Sequence, residues 1–178
     1  MRIKAQIMSS DDIKRTLIRL SHQIIEKNSS VQDICLIGIK TRGVPLARRI
    51  ADNIRTITGC EVNVGELDIT LYRDDLSVIN IDPVINQTNV PFSIEGKTVV
   101  LVDDVIYTCR TARAALDALK SIGRARRIQL CILIDRGHAE LPIRATFVGK
   151  NIPTSHNEVV CVNLMETDGI ENVVIKEK

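Results

Sequence analysis

The sequence feature that most constrains the fold is the stretch at residues 98–116, TVVLVDDVIYTCRTARAAL. Its apolar start predicts a short buried strand, and the alanine-rich run at 112–119 predicts a helix. Between them lie two adjacent carboxylates, Asp103 and Asp104, and a loop of small, hydroxyl-bearing and basic residues. In open α/β folds, ligands bind at the carboxyl ends of strands, with phosphate at the N-terminus of the next helix. The pattern therefore predicts a phosphate-binding strand–loop–helix unit.

Composition limits the class of protein and its partners. The 178 residues carry a net charge of +2, so any nucleic-acid site must be a local basic patch. Two Tyr, two Phe and no Trp argue against an aromatic platform for single strands. The five cysteines form no CxxC pair, which favours free thiols in a reducing compartment. Because no apolar run reaches membrane-spanning length and no signal-peptide pattern opens the chain, we expect a cytoplasmic location.

Hydrophobic periodicity predicts strands alternating with helices, then strands near the end of the chain. Ser9 or Ser10 can cap a helix at 11–27, and Pro45 fits the first turn of a helix at 45–57. Strand patterns lie at 34–39, 61–71, 99–102, 128–134 and 159–164, with a strand-to-loop transition at 147–154 and an edge strand at 173–175. We expect one domain over residues 1–178, with a mainly parallel twisted sheet flanked by helices on both faces.

Residues 73–97 show no lasting periodicity and are rich in Asn, Pro and Gly. A loop of this length is uncommon in a compact domain and is often functional. We therefore predict a flexible hairpin or lid at about 70–97 that closes over the site. A surface excursion without a function is the alternative.

A second candidate anion site follows the strand at 34–39. Lys40, Thr41, Arg42 and Gly43 combine backbone N–H groups, a hydroxyl and two cations, all of which can hold phosphate oxygens. Glycine in such a loop often serves turn geometry alone, so this signal is weak by itself. The carboxylate pair suits a ribose diol or a bridging Mg²⁺. Together the two loops resemble a receptor for a sugar phosphorylated at two places.

The predicted first helix carries Arg15, Arg19 and His22 opposite its apolar face. Such a stripe is usually a solvated face; the sharper interpretation is a basic surface for an anionic partner. Ile18, apolar among these charges, indicates that something covers part of the face. The Arg cluster at 124–127 is best interpreted as a solvated turn, with phosphate or RNA contact as the lesser alternative.

The order of the motifs resembles type I phosphoribosyltransferases, in which a strand, Asp-Asp and a Thr-x-Arg-Thr loop bind phosphoribosyl pyrophosphate (PRPP). Longer blocks resemble the PyrR family of bifunctional pyrimidine-operon attenuators and uracil phosphoribosyltransferases: GIKTRG, GELDITLYRDDL, VVLVDDVIYTCRT, LIDRGHAELPIR and FVGKNIPTS. These blocks occur in order from residue 38 to 155, and the opening helix is also similar. The resemblance implies the type I phosphoribosyltransferase fold, with a lid and a small hood.

The resemblance implies that uracil and PRPP give UMP and pyrophosphate. Mg²⁺ would enter with PRPP, with Asp103 and Asp104 as its candidate protein ligands. Family members bind the leader messenger RNA of the pyrimidine operon when UMP is high, and they are usually homodimers or larger. The implied contacts are the ribose with Asp103 and Asp104; the 5′-phosphate with Val105, Thr108, Cys109, Arg110 and Thr111; pyrophosphate with Lys40, Thr41, Arg42, Gly43 and Arg73; the base with Arg136, Phe147 and Val148; and RNA with Arg19, His22 and Arg144, extended by Arg15 and Lys40.

Two positions depart from related enzymes. The phosphate loop usually has glycine where this chain has Cys109, and a Cβ there costs roughly 1–2 kcal/mol if φ is positive. With a negative φ the cost is small, and we expect cysteine to be tolerated. Purine enzymes commonly have an acidic residue at the position of Tyr107. Tyr107 therefore favours a pyrimidine base and leaves no obvious side-chain general base.

Three functions stay open from the sequence. The first is a bifunctional RNA-binding regulator and uracil phosphoribosyltransferase. The second is a phosphoribosyltransferase for another base, against which Tyr107 argues. The third is a non-catalytic, UMP-sensing RNA-binding regulator, which only Cys109 favours. Ile18 and Ala139 place apolar residues where polar RNA contacts are expected.

Overall fold

The computed structural model of the protein describes residues 1–73 and 88–177. Short 3₁₀ turns lie at Val31–Asp33 and Thr70–Tyr72. The helices and strands are β1 (Arg2–Met8), α1 (Ser10–Lys27), β2 (Ile34–Ile39), α2 (Gly43–Thr58), β3 (Asn63–Leu67), β4 (Thr98–Ile106), α3 (Arg110–Lys120), β5 (Arg127–Asp135), β6 (Phe147–Asn151), β7 (Glu158–Asn163), α4 (Met165–Asp168) and β8 (Asn172–Glu177).

The main sheet has five parallel strands in the order β3-β2-β4-β5-β6. All of β2 and the first six residues of β4 are buried. Helices cover both faces of this sheet, which is why its central strands are continuous apolar runs. One core cluster contains Ile50 of α2 and Leu20 of α1, and the other contains Ala115 of α3. The predicted fold class is confirmed.

A second, antiparallel sheet joins the two ends of the chain in the order β1-β8-β7. The prediction of an edge strand at 173–175 is wrong, because β8 lies between β1 and β7. Strand β1 was not predicted at all, and neither was the short helix α4. Strand β1 escaped prediction because it is stabilised by pairing with residues about 170 positions away, as in Arg2 with Glu177. Local periodicity carries no sign of such pairing.

Most boundaries agree with the sequence. Ser9 caps α1 in a capping box, since its Oγ accepts from the Asp12 N–H while the Asp12 carboxylate accepts from the Ser9 N–H. The strand predicted at 61–71 ends at Leu67 and gives way to the turn at Thr70–Tyr72. Half of the predicted lid, residues 74–87, lies outside the described residues. None of the described helices is long and apolar enough to cross a membrane.

Candidate functional site

The candidate site lies in a crevice between β2 and β4. These strands are neighbours, but α2 leads from β2 to β3 on one side and α3 leads from β4 to β5 on the other. Ligands of open α/β sheets bind at such a switch point, beyond the carboxyl ends of the strands. A cleft of about 480 Å³ lies there, lined by Lys40, Thr41, Arg42, Asp68, Ile69, Thr70, Arg73, Asp103, Asp104, Val105 and Thr111.

Two glycines bring the loop after β2 close to β4. A Cβ on Gly43 would clash with the carbonyl oxygen of Val102, and one on Gly38 would lie 2.5 Å from the Gly43 carbonyl oxygen. Neither glycine has a positive φ, so turn geometry is not the reason for them. The Lys40–Thr41 peptide bond within the loop is cis. The glycines thus allow the loop backbone to lie beside the carboxylate pair.

Carboxylates from other elements hold the cations of this loop. Arg42 makes a bidentate ion pair with Asp168 of α4, with Nη2–Oδ1 at 2.7 Å and Nε–Oδ2 at 3.2 Å. The Asp168 carboxylate raises the pKa of the Arg42 guanidinium. The Lys40 ammonium lies 3.5 Å from a Glu66 carboxylate oxygen. The loop therefore presents positive charge whose orientation depends on residues outside it.

The carboxylate pair occupies the sixth and seventh of the nine positions of β4. Asp103 is 9 % exposed, and its Oδ1 accepts from the Asp104 N–H at 2.9 Å. The Asp104 Oδ1 accepts from the Val105 N–H at 2.8 Å. Burial raises the pKa of Asp103 well above its usual range, and the charge of Asp104 raises it further. Burial also raises the pKa of Asp104, although the Val105 N–H and the Arg42 charge oppose this.

The raised pKa values indicate what this pair can bind. Two buried carboxylates are costly when ionised and without partners. Hydroxyl donors or a cation bound beside Asp103 and Asp104 would stabilise the ionised forms. The pair therefore fits a diol, a divalent cation or both.

The loop before α3 is the second candidate anion site. Helix α3 begins at Arg110, so the N–H groups of its first turn have no acceptor within the helix and can bind an anion. Cys109 precedes it with φ 71° and ψ 4°, the left-handed region that favours glycine. The Cβ cost of roughly 1–2 kcal/mol therefore applies at Cys109.

Packing of the Cys109 side chain offsets part of that cost. The residue is 3 % exposed, and its Sγ donates to the Ile143 carbonyl oxygen at 3.4 Å. Burial raises the pKa of the thiol, which disfavours a reactive thiolate. Cys109 therefore acts as a buried apolar residue in a strained backbone position.

A smaller pocket of about 140 Å³ lies against the same loop. Its lining includes Asp103, Val105 and Thr111, which also line the larger cleft. The Arg110 side chain reaches the loop between β5 and β6, where its Nε donates to Glu140 Oε2 at 3.0 Å. The carboxylate pair thus lies between two adjoining spaces, one beside each loop.

Arg136, predicted near the base or pyrophosphate, is buried and hydrogen-bonded to other parts of the protein. It is 7 % exposed, and its guanidinium carbon lies 3.9 Å from the centre of the Tyr107 ring. Its Nε donates to Thr154 Oγ1 at 3.1 Å, and its Nη2 donates to the Glu158 carbonyl at 2.7 Å. His138 Nε2 lies 2.6 Å from the Thr154 carbonyl oxygen. Arg136 thus fixes Tyr107 and the loop before β7.

Phe147 and Val148, which the resemblance assigns to the base, are the first two residues of β6. Phe147 begins β6 opposite Cys131, is 4 % exposed and belongs to the core cluster beneath α1 and α2. The Val148 carbonyl accepts from Arg19 Nη1 at 3.5 Å. The Phe147 ring is thus buried in the core of the structure, and its contact with a base stays a prediction.

The predicted RNA contacts lie on an exposed surface. Arg19 and His22 are exposed on α1, and Arg144 is exposed just before β6. Arg19 also donates to the Gly149 carbonyl of β6, so α1 and β6 form one surface. Ile18 is 38 % exposed on that surface.

Two parts of the site were missed by sequence reasoning. Asp168 is 126 residues from Arg42, and its motif carries no local signal. His138 and His156 have ring centres 4.3 Å apart, and Tyr107 lies next to both. The sequence Asp135-Arg136-Gly137-His138 after a strand was the one sign available for this cluster.

Comparison with known proteins agrees with this geometry. The family model "Phosphoribosyl transferase domain" matches residues 5–164. Two hypoxanthine-type phosphoribosyltransferases share the fold: that of Trypanosoma cruzi has a TM-score of 0.74 at 16% identity, covering 98% of this chain and 97% of that one. The hypoxanthine-guanine enzyme of Bacillus anthracis has a TM-score of 0.72 at 17% identity, covering 98% of each chain.

Curated relatives are much more similar in sequence, and each is named "Bifunctional protein PyrR". The protein of Pelotomaculum thermopropionicum is 60% identical over 176 residues, 99% of this chain and 97% of its own. The one of Thermus aquaticus is 57% identical over 178 residues, 100% and 98% of the two chains. The one of Clostridioides difficile is 56% identical over 174 residues, 98% of each chain. The chain therefore belongs to the phosphoribosyl transferase domain family and, within it, to the PyrR family.

Proposed function

We propose that this protein transfers the phosphoribosyl group of PRPP to uracil, giving UMP and pyrophosphate. One observation carries the proposal: two loops suited to anions lie beside the Asp103–Asp104 pair, the first in the cleft that both carboxylates and Thr111 line, and the second beside an adjoining pocket that shares Asp103 and Thr111. A ribose with phosphate at C5 and pyrophosphate at C1 has this same division of charge and hydroxyl groups.

Each part of the crevice has a role in that reaction. Asp103 and Asp104 accept hydrogen bonds from the ribose hydroxyls, which lowers the cost of their ionised forms. The 5′-phosphate binds the first-turn N–H groups of α3 and the Thr108 and Thr111 hydroxyls, beside Val105, Cys109 and Arg110. These contacts fix the sugar so that its C1 faces the other loop.

The loop after β2 acts on the leaving group. As the bond at C1 breaks, negative charge grows on pyrophosphate and the ribose becomes oxocarbenium-like. Arg42 and Arg73, both lining the cleft, stabilise that charge together with Lys40, Thr41 and Gly43.

Mg²⁺ fits the residues present as an ion that enters with PRPP. Magnesium usually keeps several waters and binds substrate phosphates plus one or two carboxylates. The described residues contain no group of three His, Cys, Asp or Glu that could hold a metal alone, and they do contain the Asp103–Asp104 pair beside the cleft. Bound there, the ion would neutralise charge on the pyrophosphate oxygens.

The acceptor is inferred to be uracil. Tyr107, held between Arg136 and His138, takes the position at which purine enzymes commonly have an acidic residue. Uracil has an acidic N–H, so deprotonation by water or solution base suffices.

Product formation from PRPP with uracil, hypoxanthine or orotate tests the enzymatic proposal. We expect UMP from uracil and no more than about one-hundredth of that rate with the other bases, as a mismatched site gives. Product from hypoxanthine or orotate would assign a different base. No product, with UMP binding retained, would establish a non-catalytic UMP sensor.

We also propose that the protein binds the leader RNA of the pyrimidine operon and responds to UMP. The PyrR relatives are bifunctional by name. Arg15, Arg19, His22 and Arg144 are exposed and offer the hydrogen-bond donors and positive charge that such binding needs, and the half-buried Lys40 would extend them. A shaped RNA loop is read without a strongly basic protein.

A filter-binding titration of the cognate leader RNA at several salt concentrations, with and without UMP, tests this function. We expect UMP to tighten binding and Arg144→Ala to weaken it while reducing the salt dependence by about one phosphate contact. Arg124→Ala, which removes an exposed cation from another part of the surface, is the control. An identical titration with and without UMP would refute the regulatory proposal.

The proposal extends to assembly and location. Ile18, exposed within the basic surface, is consistent with a homodimer or larger homo-oligomer, in which a partner would cover it. All five cysteines are free in the structure, as expected for a reducing cytoplasm. Light scattering of Ile18→Lys against the wild type would test the assembly.

A further inference from the structure

Asp168 is a heavily hydrogen-bonded carboxylate that the proposed reaction does not use. Its Oδ1 accepts from Arg42 Nη2 at 2.7 Å, and its Oδ2 accepts from Arg42 Nε at 3.2 Å. The same Oδ2 accepts from the Leu164 N–H at 2.9 Å and from Thr167 Oγ1 at 2.6 Å. The carboxylate is therefore held in place by its own helix while it grips Arg42.

This arrangement fixes the Arg42 guanidinium. An arginine has five N–H donors in a rigid planar fork, and a bidentate carboxylate engages two of them. The side chain then loses most of its rotational freedom, because the fork sets the plane of the guanidinium. Arg42 lines the cleft with Asp104, and Asp168 does not line it. Asp168 thus acts from behind an arginine that faces the ligand space.

The neighbouring carboxylate shows the difference between orienting the site and bracing the fold. Glu166, on the same short helix, pairs with Arg49 of α2 at 2.8 and 2.6 Å. Arg49 does not line the cleft. Two acid–arginine pairs therefore join α4 to the segment that begins at Arg42, and one of them reaches the candidate site.

We propose that Asp168 is a positioning residue for the pyrophosphate end of the substrate: it holds Arg42 in the orientation that receives the leaving group. The inference rests on the proposed function, since it assigns a use to the loop after β2. The proposal also gives the small antiparallel sheet a function, because α4 connects β7 to β8 and places Asp168 next to Arg42.

The test compares Asp168→Asn with Glu166→Gln, which removes the other acid–arginine pair. Steady-state kinetics give KM for PRPP and kcat, and calorimetry gives Kd for UMP and for inorganic pyrophosphate. For Asp168→Asn we expect KM for PRPP and Kd for pyrophosphate to rise about tenfold, as for one charge-assisted contact. Kd for UMP, which has no pyrophosphate, should stay within about twofold. Glu166→Gln should leave all four values near those of the wild type.

Asp168→Glu keeps the charge and should restore part of the affinity, which a merely structural role would not predict. Equal weakening of UMP and pyrophosphate would show that Asp168 only braces the fold. Unchanged or tighter pyrophosphate binding would also overturn the proposal, tighter binding by showing that Asp168 competes for Arg42. If Asp168→Asn unfolds early, Asp168→Glu decides the question. A wild type that makes no UMP would refute the proposed function. The Kd for pyrophosphate would still test whether Asp168 positions Arg42.

Discussion

The two anion loops of the crevice stand at the ends of adjacent parallel strands, yet they are built differently. The loop after β2 depends on two glycines for close approach and on Arg42, which a distant carboxylate orients. The loop after β4 depends on helix N–H groups, a buried carboxylate pair and a left-handed Cys109. In the proposed reaction, the first would receive the group that leaves, and the second would hold the group that stays bound throughout.

The largest expected effect is at the carboxylate pair. Asp104→Asn removes a charged acceptor for a ribose hydroxyl. We therefore expect kcat/KM for UMP formation to fall roughly 150-fold, which corresponds to about 3 kcal/mol of transition-state stabilisation. Asp117→Asn, which breaks an ion pair with Lys120 on the far part of α3, serves as the control. A loss of less than about threefold would show that Asp104 does not contact the substrate.

Next in size is the effect of crowding the first loop. Gly43→Ala puts a Cβ against the Val102 carbonyl, which we expect to cost about 1–3 kcal/mol of unfolding free energy. It should also raise KM for PRPP more than Kd for UMP. Gly59→Ala strains a left-handed residue with open space around it and should affect stability alone. Equal changes in KM and Kd would mean that the loops are not independent.

The two regions also differ in how stability depends on pH. Because the pKa of Asp103 is raised in the folded state, this residue's contribution to the free energy of unfolding is fully present below about pH 3.8. That contribution is lost as the pH rises through the folded pKa. The hydrogen bond from Arg42 lowers the pKa of Asp168. The contribution of Asp168 to the free energy of unfolding is therefore present above its unfolded pKa of about 3.8 and is lost as the pH falls through the folded pKa. Urea unfolding of the ligand-free protein should therefore find Asp103→Asn more stable than the wild type at pH 8. A wild-type advantage there would contradict the assignment.

The smallest effect is expected at Cys109. Cys109→Gly relieves the left-handed Cβ but removes a buried side chain, so the two terms nearly cancel. We expect PRPP affinity to change by less than about tenfold, ~1.4 kcal/mol. Cys109→Ala, which keeps the Cβ and loses the sulfur, separates the terms. A larger gain for glycine would show that strain in the native loop limits binding.

The sequence predicts the half of the site that is local in the chain. The run from Thr98 to Thr111 contains its strand, carboxylates and candidate phosphate loop together, and the structure brings Asp103, Asp104, Val105 and Thr111 of that run into one crevice with Arg42 and Arg73. Local patterns also predicted the parallel sheet and its helices. Contacts across long sequence distances were not predictable: β1 with β8, and Asp168 with Arg42. The burial of the Phe147 ring was likewise not predictable from its motif, because burial depends on packing against α1 and α2.

The most direct test of the divided crevice is calorimetric binding of PRPP and UMP to Arg42→Ala and Thr111→Val. Arg42→Ala should weaken PRPP about tenfold or more and leave UMP within about twofold. Thr111→Val, which removes a hydroxyl from the phosphate loop, should weaken both ligands by a similar factor. If Arg42→Ala weakens UMP as much as PRPP, or Thr111→Val weakens PRPP alone, the assignment of the two loops is wrong.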